Sequence, residues 1–168
     1  PMQWSTAKNL GFSTCDPASL YLPVDTASNA PCVEVQEKNP KSLLNQTRRL
    51  ILLKRTEPAL KAYAEFVPVY AGPNKYPFIF TRANGNEVII CVFNPASRAE
   101  TAQFKLNFRA KKIKLLAGDH LAITSKGLNY TVKTPPVSYA IYKVTKLTKG
   151  LNSIGRLRRS KDINSDSE

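Results

Sequence analysis

From about residue 64 onward the sequence consists of short β-favouring runs separated by turn residues, a pattern that restricts this part of the chain to an antiparallel sandwich or barrel. The runs predict strands at 65–71, 76–82, 87–94, 100–108, 112–117, 120–124, 128–133 and 137–144. Asn84-Gly85 between the second and third is a strong hairpin signal. Gly72-Pro73-Asn74, Asn94-Pro95, Gly118-Asp119 and Lys126-Gly127 supply further turns. Tyr76 to Phe80 and Val88 to Phe93 are continuously apolar, as expected of central strands covered on both faces. Gln103 to Phe108 alternates, which predicts one buried and one wet face.

The first 60 residues follow other rules. Residues 1–39 are punctuated by Pro1, Pro17, Pro23 and Pro31 and lack regular periodicity, with room for a short helical turn at Cys32 to Lys38. They nevertheless carry Met2, Trp4, Phe12, Leu20, Tyr21 and Leu22, side chains that need a surface to cover. A helix is expected over 40–57, with Asn39 as N-cap and Pro40 at its first position. Leu43, Leu44, Thr47, Leu50 and Ile51 make one apolar face. Arg48, Arg49, Lys54 and Arg55 crowd the other side and the C-terminal end, and Pro58 closes the pattern. Residues 146–168 are polar and charged with isolated apolar residues, and are expected to form a basic, mostly disordered tail.

The 168 residues hold 25 basic and 12 acidic side chains, a net charge of +13. The excess is diffuse: 19 basic and 9 acidic residues fall in 1–145, and 6 and 3 in 146–168. Such a distribution suits a solvated surface better than a focused polyanion site. A nucleic-acid reading would use Tyr76, Phe78 and Phe80 beside Arg82 for stacking, and Arg109 to Lys114 for phosphates. Cys15, Cys32 and Cys91 form neither a CxxC pair nor an even set, which favours a reducing, cytoplasmic setting. With His120 as the one histidine, neither a His-based metal site nor a triad is expected, and no cofactor is called for. No window reaches the roughly 18 apolar residues of a membrane-spanning helix. No leader is visible, and the opening at Pro1 suggests a piece of something longer. No glycine-rich phosphate loop, GxSxG elbow or paired-carboxylate motif is present.

Several segments in order carry a specific likeness. Pro1-Met2-Gln3-Trp4, Lys8-Asn9-Leu10-Gly11-Phe12-Ser13 and Leu20-Tyr21-Leu22-Pro23 resemble the stretch after the last catalytic motif in α-glucosidases and trehalose synthases of glycoside hydrolase family 13, with Leu10 where Ala is usual. The likeness continues through Val33-Glu34-Val35-Gln36, Ser42-Leu43-Leu44-Asn45, Arg48-Arg49-Leu50-Ile51 and Glu57-Pro58-Ala59-Leu60. It persists, less specifically, into Val92-Phe93-Asn94-Pro95 and Ser138 to Tyr142.

The resemblance implies a mainly β fold: a domain C type antiparallel β-sandwich at 61–145, preceded at 1–60 by the last loop and helix of a truncated (β/α)8 barrel. It implies retaining chemistry on α-glucosides by an aspartate nucleophile and a glutamate acid/base, with a second aspartate that helps bind the sugar, all three upstream of the PMQW segment, so no catalytic residue falls on this chain. The partner of the opening segment would be the missing catalytic barrel of the same polypeptide. Gln3 and Trp4 would lie near the rim of the substrate pocket. Other relatives of this family are heavy chains of amino-acid transporters, which leaves a non-enzymatic interaction protein open. Carbohydrate binding by the sandwich itself would need exposed aromatics, with Tyr70, Tyr130 and Tyr142 as candidates.

Overall fold

A computed structural model describes residues 1–147. Eight strands form two antiparallel sheets. They are β1 (Glu65–Tyr70), β2 (Phe78–Asn84), β3 (Glu87–Asn94), β4 (Glu100–Lys105), β5 (Ala110–Gly118), β6 (Ala122–Lys126), β7 (Asn129–Thr134) and β8 (Ser138–Lys146). One sheet has the order β1-β2-β3-β8-β5, the other β4-β7-β6. They face each other across a core that includes Ile79, Val88, Ile90, Val92, Phe104 and Val132, the arrangement of a β-sandwich. The mainly β sandwich expected from the sequence is what the chain adopts.

The continuous apolar run in β3 is explained by cover on both sides. Val88, Ile90 and Val92 enter the sandwich core, while Ile89 and Cys91 point to the opposite face and pack with Ala59, Ile141, Leu50 and Leu53. That second, smaller cluster is roofed by helix α2 (Leu43–Thr56) and the single turn Pro58–Leu60. The three-stranded sheet has no such roof, so β4 alternates: Ala102 and Phe104 are buried, and Thr101, Gln103 and Lys105 are exposed.

Both tight hairpins place glycine first in a two-residue loop. Gly85 has φ +58° between Asn84 and Glu87, which pair, and Gly127 has φ +67° between the paired Lys126 and Asn129. Type II′ hairpin loops share this placement. Gly118 (φ +89°) is required for a second reason: a Cβ there would lie 2.2 Å from the Tyr139 carbonyl oxygen.

Several boundaries differ from the sequence expectation. The 100–108 run leaves its ladder at Lys105, because the chain then crosses from the three-stranded to the five-stranded sheet. Leu106 remains buried, with its N–H donated to Leu128, so alternation outlasts the strand. The run at 120–124 becomes strand only at Ala122, after the reverse crossing. Lys146, assigned to the tail, closes β8, and the rest of that segment from 148 lies outside the described residues.

The helix begins later than 40 and is capped by Ser42 rather than Asn39. The Ser42 hydroxyl accepts the Asn45 N–H at 3.3 Å. Asn39 is occupied locally instead, its side chain accepting the Lys41 N–H at 2.9 Å, an Asx-type turn that competes with helix. A six-residue helix, α1 (Val33–Lys38), occupies the expected position of the short helical turn.

Two polar links fasten the helical layer to the sheet. Arg82 on β2 donates to the carbonyls of Ala59 and Lys61. Lys143 on β8 bridges Glu57 at 2.9 Å and Glu87 at 3.1 Å.

Candidate functional site

The opening segment is ordered by backbone bonds rather than by burial. Trp4 and Ser5 both donate their N–H to the Leu10 carbonyl, at 2.8 and 3.1 Å. Closing this loop needs left-handed backbone at Asn9 (φ 52°) and Leu10 (φ 54°), and at Gly11 (φ +70°), where a Cβ would meet Ser5 Oγ at 2.4 Å. Asn is among the residues that tolerate such angles. Asn9 is buried and its amide donates to the carbonyls of Ser13 and Cys15, at 3.1 and 2.9 Å. The Lys8-to-Ser13 motif is therefore a self-bonded loop. It presents Gln3, half-buried, and Trp4, 50% exposed, beside exposed Met2 and Phe12.

That loop is joined to α1. The N–H groups of Val33 and Glu34 donate to the carbonyls of Gln3 and Trp4, each at 3.0 Å. The Glu34 carboxyl is held below its ordinary pKa, first by the hydrogen bond and charge of Lys38 and then by the Thr6 backbone. At the other end of α1, Gln36, Ser42 and Asn45 form a polar hub against the start of α2. Sequence reasoning placed Gln36, Ser42 and Asn45 in motifs without assigning them work. The signal was their recurrence at two adjacent helix ends.

The carboxylates elsewhere are used structurally. Asp16 and Asp25 accept backbone N–H groups in turns. Asp119 accepts the Tyr139 N–H at 3.1 Å. Glu57 and Glu87 share Lys143, whose pKa is raised by those two hydrogen bonds, Glu57 first. Among the described residues, no group of three His, Cys, Asp or Glu side chains is placed to hold a metal ion. His120 is exposed in the crossing between β5 and β6. Burial pushes the Cys91 thiol up to about 12, so it is an inert core group at neutral pH.

Two clefts flank the packed edge of α2. One, of about 440 Å³, runs between Gln46, Arg49, Leu53 and Leu116. The other, of about 370 Å³, is walled by Leu50, Leu60, Phe80, Phe93 and Ile141. Of the aromatic residues considered for stacking on nucleic acid, Phe78 and Phe80 are part of this packing, whereas Tyr76 is exposed. Phe80 lies 4.9 Å from Phe66, 5.2 Å from Phe78 and 5.9 Å from Phe93 between ring centroids, and packs in the cluster beneath α2.

Burial corrects two of the three sugar-binding candidates on the sandwich. Tyr130 is 1% exposed, and its hydroxyl accepts the Ala110 N–H at 2.8 Å. Tyr142 is 3% exposed and its hydroxyl accepts the Leu121 N–H at 2.8 Å. Burial raises its pKa, an effect the Leu121 N–H opposes. Tyr70 is half-buried at the edge of the sandwich core. Buried tyrosines bonded to backbone are core residues with a polar tip.

No protein-family model matches the chain. It is 32% identical over 136 residues to a probable α-glucosidase of Rhizobium meliloti (strain 1021), an alignment covering 80% of this chain and 22% of that protein. It is 35% identical over 101 residues to the trehalose synthase/amylase TreS of Mycobacterium tuberculosis, covering 56% of this chain and 16% of the relative. The chain thus spans about a fifth of the length of the curated relatives it matches. Among solved structures, isomaltulose synthase from Erwinia rhapontici NX5 superposes with a TM-score of 0.69 at 23% identity, over 86% of this chain and 25% of that one. Trehalulose synthase from Pseudomonas mesoacidophila MX-45 gives a TM-score of 0.65 at 22% identity over the same 86% of this chain and again 25% of that one. No helix among the described residues is long and apolar enough to cross a membrane. By sequence kinship and by fold together, this chain is a homologue of the C-terminal part of glycoside hydrolase family 13 enzymes of the α-glucosidase and trehalose synthase type.

Proposed function

We propose that the chain is the C-terminal portion of a retaining enzyme acting on α-linked glucosides, and that it serves that enzyme structurally. Residues 61–145 are the domain C sandwich. Residues 1–60 are the last loop and last helix of a (β/α)8 barrel whose catalytic carboxylates lie outside these 168 residues. Gln3 and Trp4 face the rim of the substrate pocket without taking part in bond cleavage.

The observation that carries this reading is an apolar stripe turned to solvent. On α2, Leu50 and Leu53 pack against the sheet, while Leu43 is 75% exposed and Ile51 55% exposed on the adjoining face. Thr47 lies between them on the same face, at i+4 spacing. A helix apolar on two sides belongs between two packed layers. The sandwich supplies one layer, and a barrel is the other that the kinship supplies. The enzyme operates in the cytoplasm on this reading, in line with three free cysteines.

The test is enzymatic. The pure 168-residue protein should release no nitrophenol from p-nitrophenyl α-glucoside. The same chain, expressed with the coding sequence that precedes Pro1 in its gene, should hydrolyse or transfer α-glucosyl units. Turnover by the short protein, or a longer product inert towards maltose, sucrose and trehalose alike, would overturn the reading.

A further inference from the structure

The helix α1 has six residues and no buried side chain, well short of the length at which a helix persists unaided. Both of its ends are nevertheless engaged by polar contacts. At its start, the Val33 and Glu34 N–H groups are taken by the carbonyls of Gln3 and Trp4. At its end, the Asn45 amide group donates among three carbonyls, those of Gln36 at 2.9 Å, Glu37 at 3.1 Å and Asn39 at 2.9 Å. The Ser42 hydroxyl adds a 2.6 Å bond to the Gln36 carbonyl. The Glu37 carbonyl is among those a helix C-terminus leaves without internal partners, while the Gln36 carbonyl also accepts the Asn39 N–H at 3.2 Å.

The bonding is reciprocal. The Gln36 side-chain oxygen accepts the Leu44 N–H at 3.0 Å, and the Ser42 oxygen accepts the Asn45 N–H at 3.3 Å. Both are orphan donors in the first turn of α2. Each helix therefore caps the other, with the negative end of the α1 dipole against the positive end of α2. The Glu37–Arg48 ion pair beside the hub is exposed on both partners and adds little. From α2 the connection reaches the sandwich through Leu50, Leu53 and the Glu57–Lys143 bridge.

We propose that Asn45 and Gln36 are positioning residues for the Gln3–Trp4 segment: they lock α1 end to end onto α2, and α1 then holds the two backbone carbonyls of that segment. Its bearing on catalysis rests on the reading of Gln3 and Trp4 as rim residues. The chemistry demanded of each hub residue is distinct. Asn45 must be a donor, and aspartate has its shape but not its N–H groups. Gln36 must present an acceptor, which glutamate retains.

The experiment is amide hydrogen exchange on the full 168-residue chain, together with fluorescence anisotropy of Trp4, its single tryptophan. In Asn45→Asp and Asn45→Ala the Val33 and Glu34 amides should exchange about tenfold faster, the scale of a lost helix cap. Trp4 anisotropy should fall in both. Gln36→Glu should stay within about twofold of the parent chain. Amides of β3 and β8 should keep their protection throughout. Unchanged exchange at Val33 and Glu34 in Asn45→Asp would overturn the inference, as would an equal loss across β3 and β8, which marks general unfolding. Gln36→Glu behaving like Asn45→Asp would overturn the donor and acceptor roles. The rim reading fails separately: in the longer gene product, Trp4→Ala would leave KM and kcat unaltered while the exchange coupling persists.

Discussion

The first 63 residues and the remainder of the described chain dispose of apolar side chains in opposite ways. Ten large hydrophobic residues stand exposed in the first region, including Trp4, Tyr21, Leu43 and Ile51, against five in the second. Of the buried apolar residues, only Cys32 and Ala59 come from the first region, and seventeen come from the second. One region closes a core by itself. The other is held in shape by capping bonds, a polar hub and an edge of α2, and it leaves its apolar surface uncovered. Local hydrogen bonding can fix a backbone path without a core, but it cannot remove apolar surface from water. An arrangement of this kind is what one expects where a second layer completes the packing.

The largest expected contrast is between truncations in the two regions. Ile90→Ala, in the sandwich core, should cost about 2–5 kcal/mol in denaturant unfolding. Ile51→Ala, on the open stripe of α2, should stay within about 0.5 kcal/mol in the same chain. Comparable losses at both sites would mean that the stripe is covered in solution, and the contrast would fail. In a longer, enzymatically active protein the Ile51 effect should grow towards that of a core position.

A smaller effect is expected at Gly118. Adding a methyl there imposes positive φ on a Cβ-bearing residue and drives it into the Tyr139 carbonyl. Gly118→Ala should lower stability by about 1–3 kcal/mol, the range for a strained backbone position. Differential scanning calorimetry would read it as a lower Tm, and an unchanged Tm would show that the β5–β8 junction relaxes freely.

The smallest expected effect lies at the seam between the regions. The Lys143 pKa is raised in the folded state by Glu57 and Glu87. The contribution is therefore fully present below the unfolded lysine value and fades as pH rises through the folded one. Because Lys143 is about a third exposed (34%), its worth is about 1 kcal/mol or less. Unfolding curves of Lys143→Met should fall below those of the parent chain at pH 7 and converge with them only once the pH exceeds the raised folded-state lysine value. Parallel curves at all pH values would show that the bridge contributes nothing.

Much of the fold was legible because its signals are local. The unbroken apolar run of β3 announced cover on both faces, and Asn84-Gly85 announced a hairpin. The limits of β4 and β6 were hidden, because apolar alternation continues through Leu106 and Leu121 while the backbone changes sheet. The N-cap was displaced from Asn39 to Ser42 by an Asx turn that competes for the same side chain. At the candidate site, the motif residues Gln3 and Trp4 could be named, yet their attachment through Gln36 and Asn45 depends on two helix ends meeting in space. The same limit applied to Tyr130 and Tyr142: a tyrosine on an alternating strand reads alike whether its ring meets solvent or core.

The sequence by itself determined the strands, most of the turns and the apolar face of the helix, since periodicity and φ preferences act between near neighbours. Only the tertiary structure decided which part of that face is used and which side chains become polar anchors. Those outcomes depend on which surfaces approach one another, and burial is a property of the approach, not of the residue.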